Sequence, residues 1–202
     1  MKTVYDPAAI PAVDSYKLLT GLVTPRPIAW VGSMDGAGVA NLAPFSFFNA
    51  VATSPPTIMF STGRPRGRVK DTLANVRRTG EFTVSMVSEF LLDPMNASSG
   101  SFPPEVDEFA SCGLTARMGD AVAAPMVAEA RAALECRVIE TVDVGRAPSP
   151  ATVVFGEVVL FHVDNDILDG TRVDPLGLAA VGRLGGPQYA LLREVVTRER
   201  PA

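Results

Sequence analysis

Residues 41–56 read NLAPFSFFNAVATSPP, and this stretch constrains the fold more than any other. Three phenylalanines, Phe45, Phe47 and Phe48, stand among Ser46 and Asn49, with Pro44 just before them. In an extended chain alternate residues share a face, so Phe45 and Phe47 point one way while Ser46 and Phe48 point the other. Phenylalanine on both faces means that the segment is buried on both sides, or that one face covers something other than protein. A flat aromatic cofactor suits such a cover, because apolar side chains wall the ring while backbone N-H groups and a few hydroxyls bond its polar edge.

The flanking residues read as short strands joined by turns. Pro25 and Pro27 bracket Arg26 and hold the backbone extended into a strand over residues 28–32. Asp35-Gly36 marks a hairpin, from which residues 39–48 return as one strand. Pro55 and Pro56 lack amide donors and end it before a third strand over residues 57–61. A helix is predicted over residues 72–79, with Asp71 as N-cap, Arg77 and Arg78 complementing the dipole in the last turn, and Gly80 just beyond. Phe82, Val84 and Met86 alternate with Thr83, Ser85 and Val87 as a fourth strand, and residues 91–97 form a second short helix.

Further along, residues 98–125 are rich in Ser, Gly and Pro and are predicted to form a lid or an excursion from the core, with one helical turn at 106–112. The run AEARAALE favours helix, yet Leu134, Cys136, Val138, Val142 and Val144 alternate cleanly and predict a strand over residues 132–144. A turn at 147–150, a long strand over 152–163 and a last strand over 189–192 complete the pattern. The first twenty residues read as an irregular arm with a helical or turn segment at 16–19. The expectation is a single domain over residues 1–202, mainly β, with six or seven mostly antiparallel strands and short helices. That pattern fits a small closed barrel better than an alternating βαβ sheet.

Several classes of function are excluded. With 18 Lys and Arg against 22 Asp and Glu, the chain lacks the cationic excess that binds nucleic-acid phosphates. Cys112, Cys136 and His162 are too few for a disulfide scaffold or a zinc site, and the two cysteines read as packing residues. No run approaches a membrane span and the N-terminus lacks a continuous apolar segment, so a cytoplasmic location is expected. No GxSxG, GxGxxG or GxxxxGK[ST] motif occurs. Without a nucleophile, metal cluster or acid pair, the chemistry falls to an organic cofactor.

Four segments in order, RPIAWVGSMDGAGVANLAPFSFFNAVATSPPTIMFSTG, KDTLANVRRTGEFTVSMV, FGEVVLFHV and RLGGPQYALL, resemble the flavin reductase-like family of FMN-binding split barrels. The resemblance runs from about residue 16 to 192. It implies a split β-barrel that acts as a homodimer, FMN near the subunit interface, and hydride transfer between NAD(P)H and flavin. Electrons would pass on to free flavin or to an electron-accepting partner protein. Some members of this family are electron carriers without an enzymatic reaction, and the pyridoxamine-phosphate oxidases share both barrel and FMN.

The residues can be matched to the needs of FMN. Ser61, Thr62 and Gly63 end a strand with two hydroxyls and a flexible backbone, and Lys70, Asp71 and Thr72 stand at a helix N-terminus where orphan amides attract anions. Lys70 and Thr72 are expected to meet the phosphate, and Asp71 to cap the helix or meet ribityl hydroxyls. The same residues also suit a plain capped helix after a solvated loop. Phe45, Ser46, Phe47, Phe48 and Asn49 would wall the ring or form a core strand, while Asn41 and Asn96 are further polar candidates or turn caps. Arg64, Arg66 and Arg68 suit the phosphates of NAD(P)H or a solvated loop. The resemblance brings His162 towards the nicotinamide, and Arg183 and Tyr189 towards the flavin or the partner subunit.

Overall fold

The computed structural model describes residues 1–63, 69–147 and 150–201. Arg64, Arg66 and Arg68, and Pro148 and Ser149 of the expected turn, lie outside the described residues. The chain begins with α1 (Ala12–Leu22), β1 (Ala29–Met34), β2 (Ala40–Phe45), β3 (Phe48–Thr53), β4 (Pro56–Gly63), α2 (Asp71–Thr79) and β5 (Glu81–Met86). After α3 (Leu92–Ala97) and α4 (Glu108–Ser111) come β6 (Ala116–Met118), β7 (Pro125–Val127), β8 (Ala132–Val144) and β9 (Ala151–Val163). The described chain closes with β10 (Leu168–Asp169), β11 (Arg172–Val173), α5 (Pro175–Leu178), β12 (Val181–Arg183) and β13 (Tyr189–Leu191).

Seven strands make one antiparallel sheet in the order β2-β1-β5-β8-β9-β4-β3. Its two edge strands, β2 and β3, are separated in the chain only by Ser46 and Phe47. Laid flat, seven strands would put the edges roughly 28 Å apart, whereas the three residue steps from Phe45 to Phe48 reach at most about 11 Å. The sheet therefore has to roll up until its edges meet. They meet without pairing, which makes this a split β-barrel. The link is held by the Ser61 N-H, which donates to the Phe47 carbonyl at 2.8 Å.

The single strand expected over residues 39–48 is thus two strands belonging to opposite edges. Phe45 and Phe48 are both buried in the same core, although residues three apart in a straight strand face opposite ways. The bend at Ser46-Phe47 reconciles the two. Inside the barrel Phe45 packs on Phe60, with ring centroids 5.0 Å apart, and Phe60 meets Phe82 edge-on at 5.4 Å. Leu73 and Val76 of α2 join this core together with Val31, Val84, Cys136 and Val154.

A second core forms on the outer side of β1 and β2, where Trp30 and Leu42 pack with Met95, Phe109 and Val127. Strand β1 is buried on both faces, which accounts for its run of apolar residues without clean alternation. The segment expected to leave as a lid is instead a packed cover that carries α4 and the β6-β7 hairpin against this face. Strand β7 comes so close to β1 that a Cβ on Gly32 would stand 1.8 Å from the Pro125 carbonyl oxygen. The arm is ordered further than expected, since residues 12–22 form a full helix after Pro11. Among the described residues no helix is long and apolar enough to cross a membrane.

Gly32→Ala is expected to lower stability by about 1–3 kcal/mol, because the added methyl displaces backbone rather than a flexible side chain. Urea unfolding measures it, and an unchanged midpoint would mean that β7 does not press on β1.

Candidate functional site

A buried polar junction binds β1, β2, α2 and α4. The Asn41 Oδ1 accepts from the Thr72 hydroxyl at 2.8 Å and from the Ser33 hydroxyl at 3.2 Å. Its Nδ2 donates to Glu108 Oε1 at 2.7 Å, while the other Glu108 oxygen accepts from the Leu42 N-H at 3.1 Å. Asp107 caps the first turn of α4, which leaves Glu108 turned inward. Burial raises the Glu108 pKa, with the nearby Asp71 charge adding to the effect, while the hydrogen bonds from Leu42 and Asn41 oppose it.

Over this junction lies a cavity of about 240 Å³ walled by Asn41, Pro44, Lys70, Asp71, Thr72, the residues 98–102 and Glu108. Lys70 rather than Asp71 occupies the N-cap of α2, with extended backbone and no side-chain capping bond. Asp71 is the first helical residue, one position later than the sequence suggests, where its charge still favours the helix dipole. Because a lysine has no acceptor to offer, it leaves the first-turn amides to other partners. The Thr72 hydroxyl hydrogen is spent on Asn41, so that hydroxyl has no hydrogen left to give an anion. The Lys70 ammonium sits 5.2 Å from the centre of the Phe45 ring. Although the side chain keeps solvent contact, the protein packed around it lowers its pKa by desolvation.

A second cavity of about 210 Å³ shares Pro44 and Ser99 with the first and is walled further by Tyr16, Arg26, Ser46, Arg183 and Tyr189. Arg183 stacks on the Tyr189 ring at 4.5 Å, donates to its hydroxyl and donates to the Gly186 carbonyl at 2.6 Å. The Tyr189 hydroxyl in turn donates to Asn96 Oδ1 at 2.9 Å, tying α3 to β13. Ser99 stands between the two cavities, and its neighbour Ser98 is pinned by the Trp30 Nε1-H at 2.8 Å.

Of the residues singled out by sequence, Asn41, Lys70, Asp71 and Thr72 thus line the first cavity, Ser46 and Arg183 line the second, and Asn96 braces it. The side chains of Phe45 and Phe48 belong to the barrel core. Phe47 is exposed beneath the Arg26 guanidinium, 5.7 Å from it, and Asn49 is exposed with its Oδ1 accepting from the Ala50 N-H. Ser61, Thr62 and Gly63 end β4 outside both cavities, the Thr62 hydroxyl bonding the Gly63 carbonyl at 3.3 Å. His162 stands apart in another hollow, its Nε2 2.6 Å from Glu135 Oε1 and its Nδ1 3.2 Å from Arg117. Burial opposes the Glu135 charge, but N-H donors from Asp120, Ala121 and Val122, together with His162, outweigh it and lower the pKa. Asp120, Glu135 and His162 could gather round a metal ion, yet their atoms are taken up by these bonds and by Arg117. Sequence reasoning missed Arg26, Tyr16, Glu108 and the serines after α3; only the prolines flanking Arg26 signalled anything.

The flavin reductase like domain matches residues 21–180. The chain belongs to that family. This flavin reductase-like chain is also 43% identical to an uncharacterized protein of Aquifex aeolicus over 86% of its own length and 88% of the relative's. The crystal structure of nitrilotriacetate monooxygenase component B from Bacillus cereus superimposes with a TM-score of 0.95 at 34% identity, covering 98% of this chain and 99% of that one. Pseudomonas fluorescens 2-nitrobenzoate 2-nitroreductase NbaA follows at 0.89 and 29%, covering 98% and 96%.

Glu108→Gln should destabilise the flavin reductase-like barrel by about 1–3 kcal/mol, because an amide N-H2 then faces the donor N-H of Leu42 or Asn41. The sign of the pH dependence follows from the raised pKa. A carboxyl that binds its proton more tightly when folded stabilises most below its unfolded value near 4.5 and loses that contribution as the pH rises. The gap between wild type and Glu108→Gln in urea midpoint should therefore be widest below pH 4.5 and narrow above it. A gap independent of pH would contradict this.

Proposed function

We propose that this chain is an FMN-dependent oxidoreductase of the flavin reductase type, active as a homodimer with NAD(P)H as hydride donor. The observation that carries the reading is the pair of neighbouring cavities that share Pro44 and Ser99, with the Lys70 ammonium and the start of α2 in the wall of the first and Ser46 just across the shared rim. FMN is an elongated molecule with a dianionic phosphate, a polyhydroxyl chain and a flat ring, and the donors present suit each part. Lys70 and the amides of the first turn of α2 suit the phosphate. Asp71 and the serines after α3 suit the hydroxyls of the chain. Pro44 and the Ser46 backbone suit the face and polar edge of the ring.

Bound there, FMN would take hydride from NAD(P)H and hand the electrons on to free flavin or to a partner protein. The residues of the chain do the holding. A partly desolvated ammonium such as Lys70, which keeps some contact with solvent, gains somewhat more from a bound anion than a fully hydrated one does. The Asn41 junction keeps the start of α2 and the strand leading to Pro44 in fixed relation, so the two ends of the site stay at one spacing. The likeness to a protein named a nitroreductase, whose reaction is a reduction, supports an oxidoreductase. Self-association is supported by β3, a sheet edge exposed from Asn49 to Thr53 and carrying exposed Val51, next to exposed Phe47.

Purified protein should be yellow or become so with FMN, and anaerobic mixing with NADH or NADPH should bleach the flavin absorbance. A yellow protein bleached by neither is an electron carrier, not a reductase. Lys70→Ala should weaken FMN at least tenfold, about 1.4 kcal/mol, while leaving riboflavin, which has no phosphate, bound as before. Equal loss of both ligands would remove Lys70 from the phosphate.

A further inference from the structure

Arg26 and Arg183 stand directly opposite each other. Each backbone N-H donates to the other residue's carbonyl, at 3.0 and 2.8 Å, in an isolated antiparallel bridge. Side chains at such positions lie on one face with Cβ atoms only about 5 Å apart, and like charges there repel. Both side chains wall the second cavity. Among the described residues no carboxylate pairs with either of them, and the cavity wall contains no acidic residue.

Arg26 carries the sharper anomaly, since only 7% of its surface is exposed. Its Nη1 donates to the Thr20 carbonyl at 2.7 Å and to the Val23 carbonyl, and its Nη2 to the Leu184 carbonyl at 2.9 Å. These carbonyls, two of them at the end of α1, compensate the charge only in part. The Arg26 Nε has no hydrogen-bond partner among the described residues. Buried charges are ordinarily paired, and leaving one unpaired costs more than the Coulomb gain of most surface pairs. Here two cations face one hollow whose wall offers no carboxylate; burial lowers the Arg26 pKa, Tyr16 opposes that shift and the charge of Arg183 adds to it.

We propose that the Arg26–Arg183 pair binds an oxyanion of the substrate that exchanges electrons with the flavin. This rests on the reading above, in which FMN occupies the first cavity and its ring reaches only the shared rim at Pro44 and Ser46, leaving the arginine side of the second cavity open. At about 210 Å³ the hollow is smaller than the roughly 300–1,000 Å³ of sites that take drug-sized ligands. It therefore takes a small molecule, or one end of a larger one. Tyr16 and Tyr189 in its wall favour a planar ligand. A guanidinium fork matches a carboxylate and a phosphate alike, so the anion belongs either to a small planar carboxylate or to a phosphate of the pyridine nucleotide.

The test is calorimetric titration of the FMN-loaded and the flavin-free protein with benzoate, with neutral benzamide, and with inorganic phosphate. Benzoate should bind at least tenfold more tightly than benzamide, Arg183→Gln should remove that preference, and Arg183→Lys should keep part of it. Phosphate binding as well as benzoate, with the same loss in Arg183→Gln, would support the oxyanion site and assign it to the nucleotide. Benzoate and benzamide binding alike, neither anion binding, or anion binding unchanged in Arg183→Gln would overturn the proposal. A protein that takes up no FMN yet prefers benzoate keeps the oxyanion site and loses the flavin assignment. A yellow protein indifferent to charge does the reverse.

Discussion

The structure turns on a two-residue tether. Because only Ser46 and Phe47 join the outermost strands of a seven-stranded sheet, the sheet cannot lie flat. Rolling it up creates an interior that Phe45, Phe48, Phe60 and Phe82 fill. The unpaired seam, in turn, leaves Pro44 and Ser46 at the rim of two neighbouring hollows. Fold and site thus share one cause: the residues that close the barrel are also the residues beside the cavities.

Electrostatics then divides the hollow. At one end Lys70 stands in the N-cap position and contributes no capping bond. At the other, Arg26 and Arg183 are held opposite each other by backbone hydrogen bonds that do not depend on their charge. Between these two cationic ends the polar groups are mostly committed. Asn41 spends its carbonyl oxygen on Ser33 and Thr72 and its amide on Glu108, so it positions α2 and β2 and contributes little to recognition. A buried polar network of this kind is worth having only when satisfied throughout, because any orphaned group carries the full desolvation penalty.

The strands were legible where apolar and polar residue types alternate along the chain. The alternation of Leu134, Cys136 and Val138 located β8 against the helix-favouring run before it, and its bounds match the expectation. Sequence periodicity failed at Ser46-Phe47, since a kink between two edges looks locally like a continuous strand. It also misplaced the helix cap by one residue, because Lys-Asp-Thr offers Asp71 as the better capping side chain although the backbone turns at Lys70. The β6-β7 hairpin was invisible because Ala116–Met118 is exposed throughout, while Pro125–Val127 is buried throughout. For the site, the KDT segment was found through helix-terminus chemistry, but Glu108 lies 67 positions from Asn41 and nothing local marks it. Arg26 shows in sequence only as a residue between prolines; its partner lies at position 183, and topology alone brings the two together.

The most direct test of this account is a crystal structure of the protein grown with FMN. The phosphate should lie within hydrogen-bonding distance of the Lys70 ammonium and the first-turn amides of α2, with the ring against Pro44 and Ser46. A phosphate seated on Arg26 and Arg183, or a flavin bound away from both cavities, would contradict it.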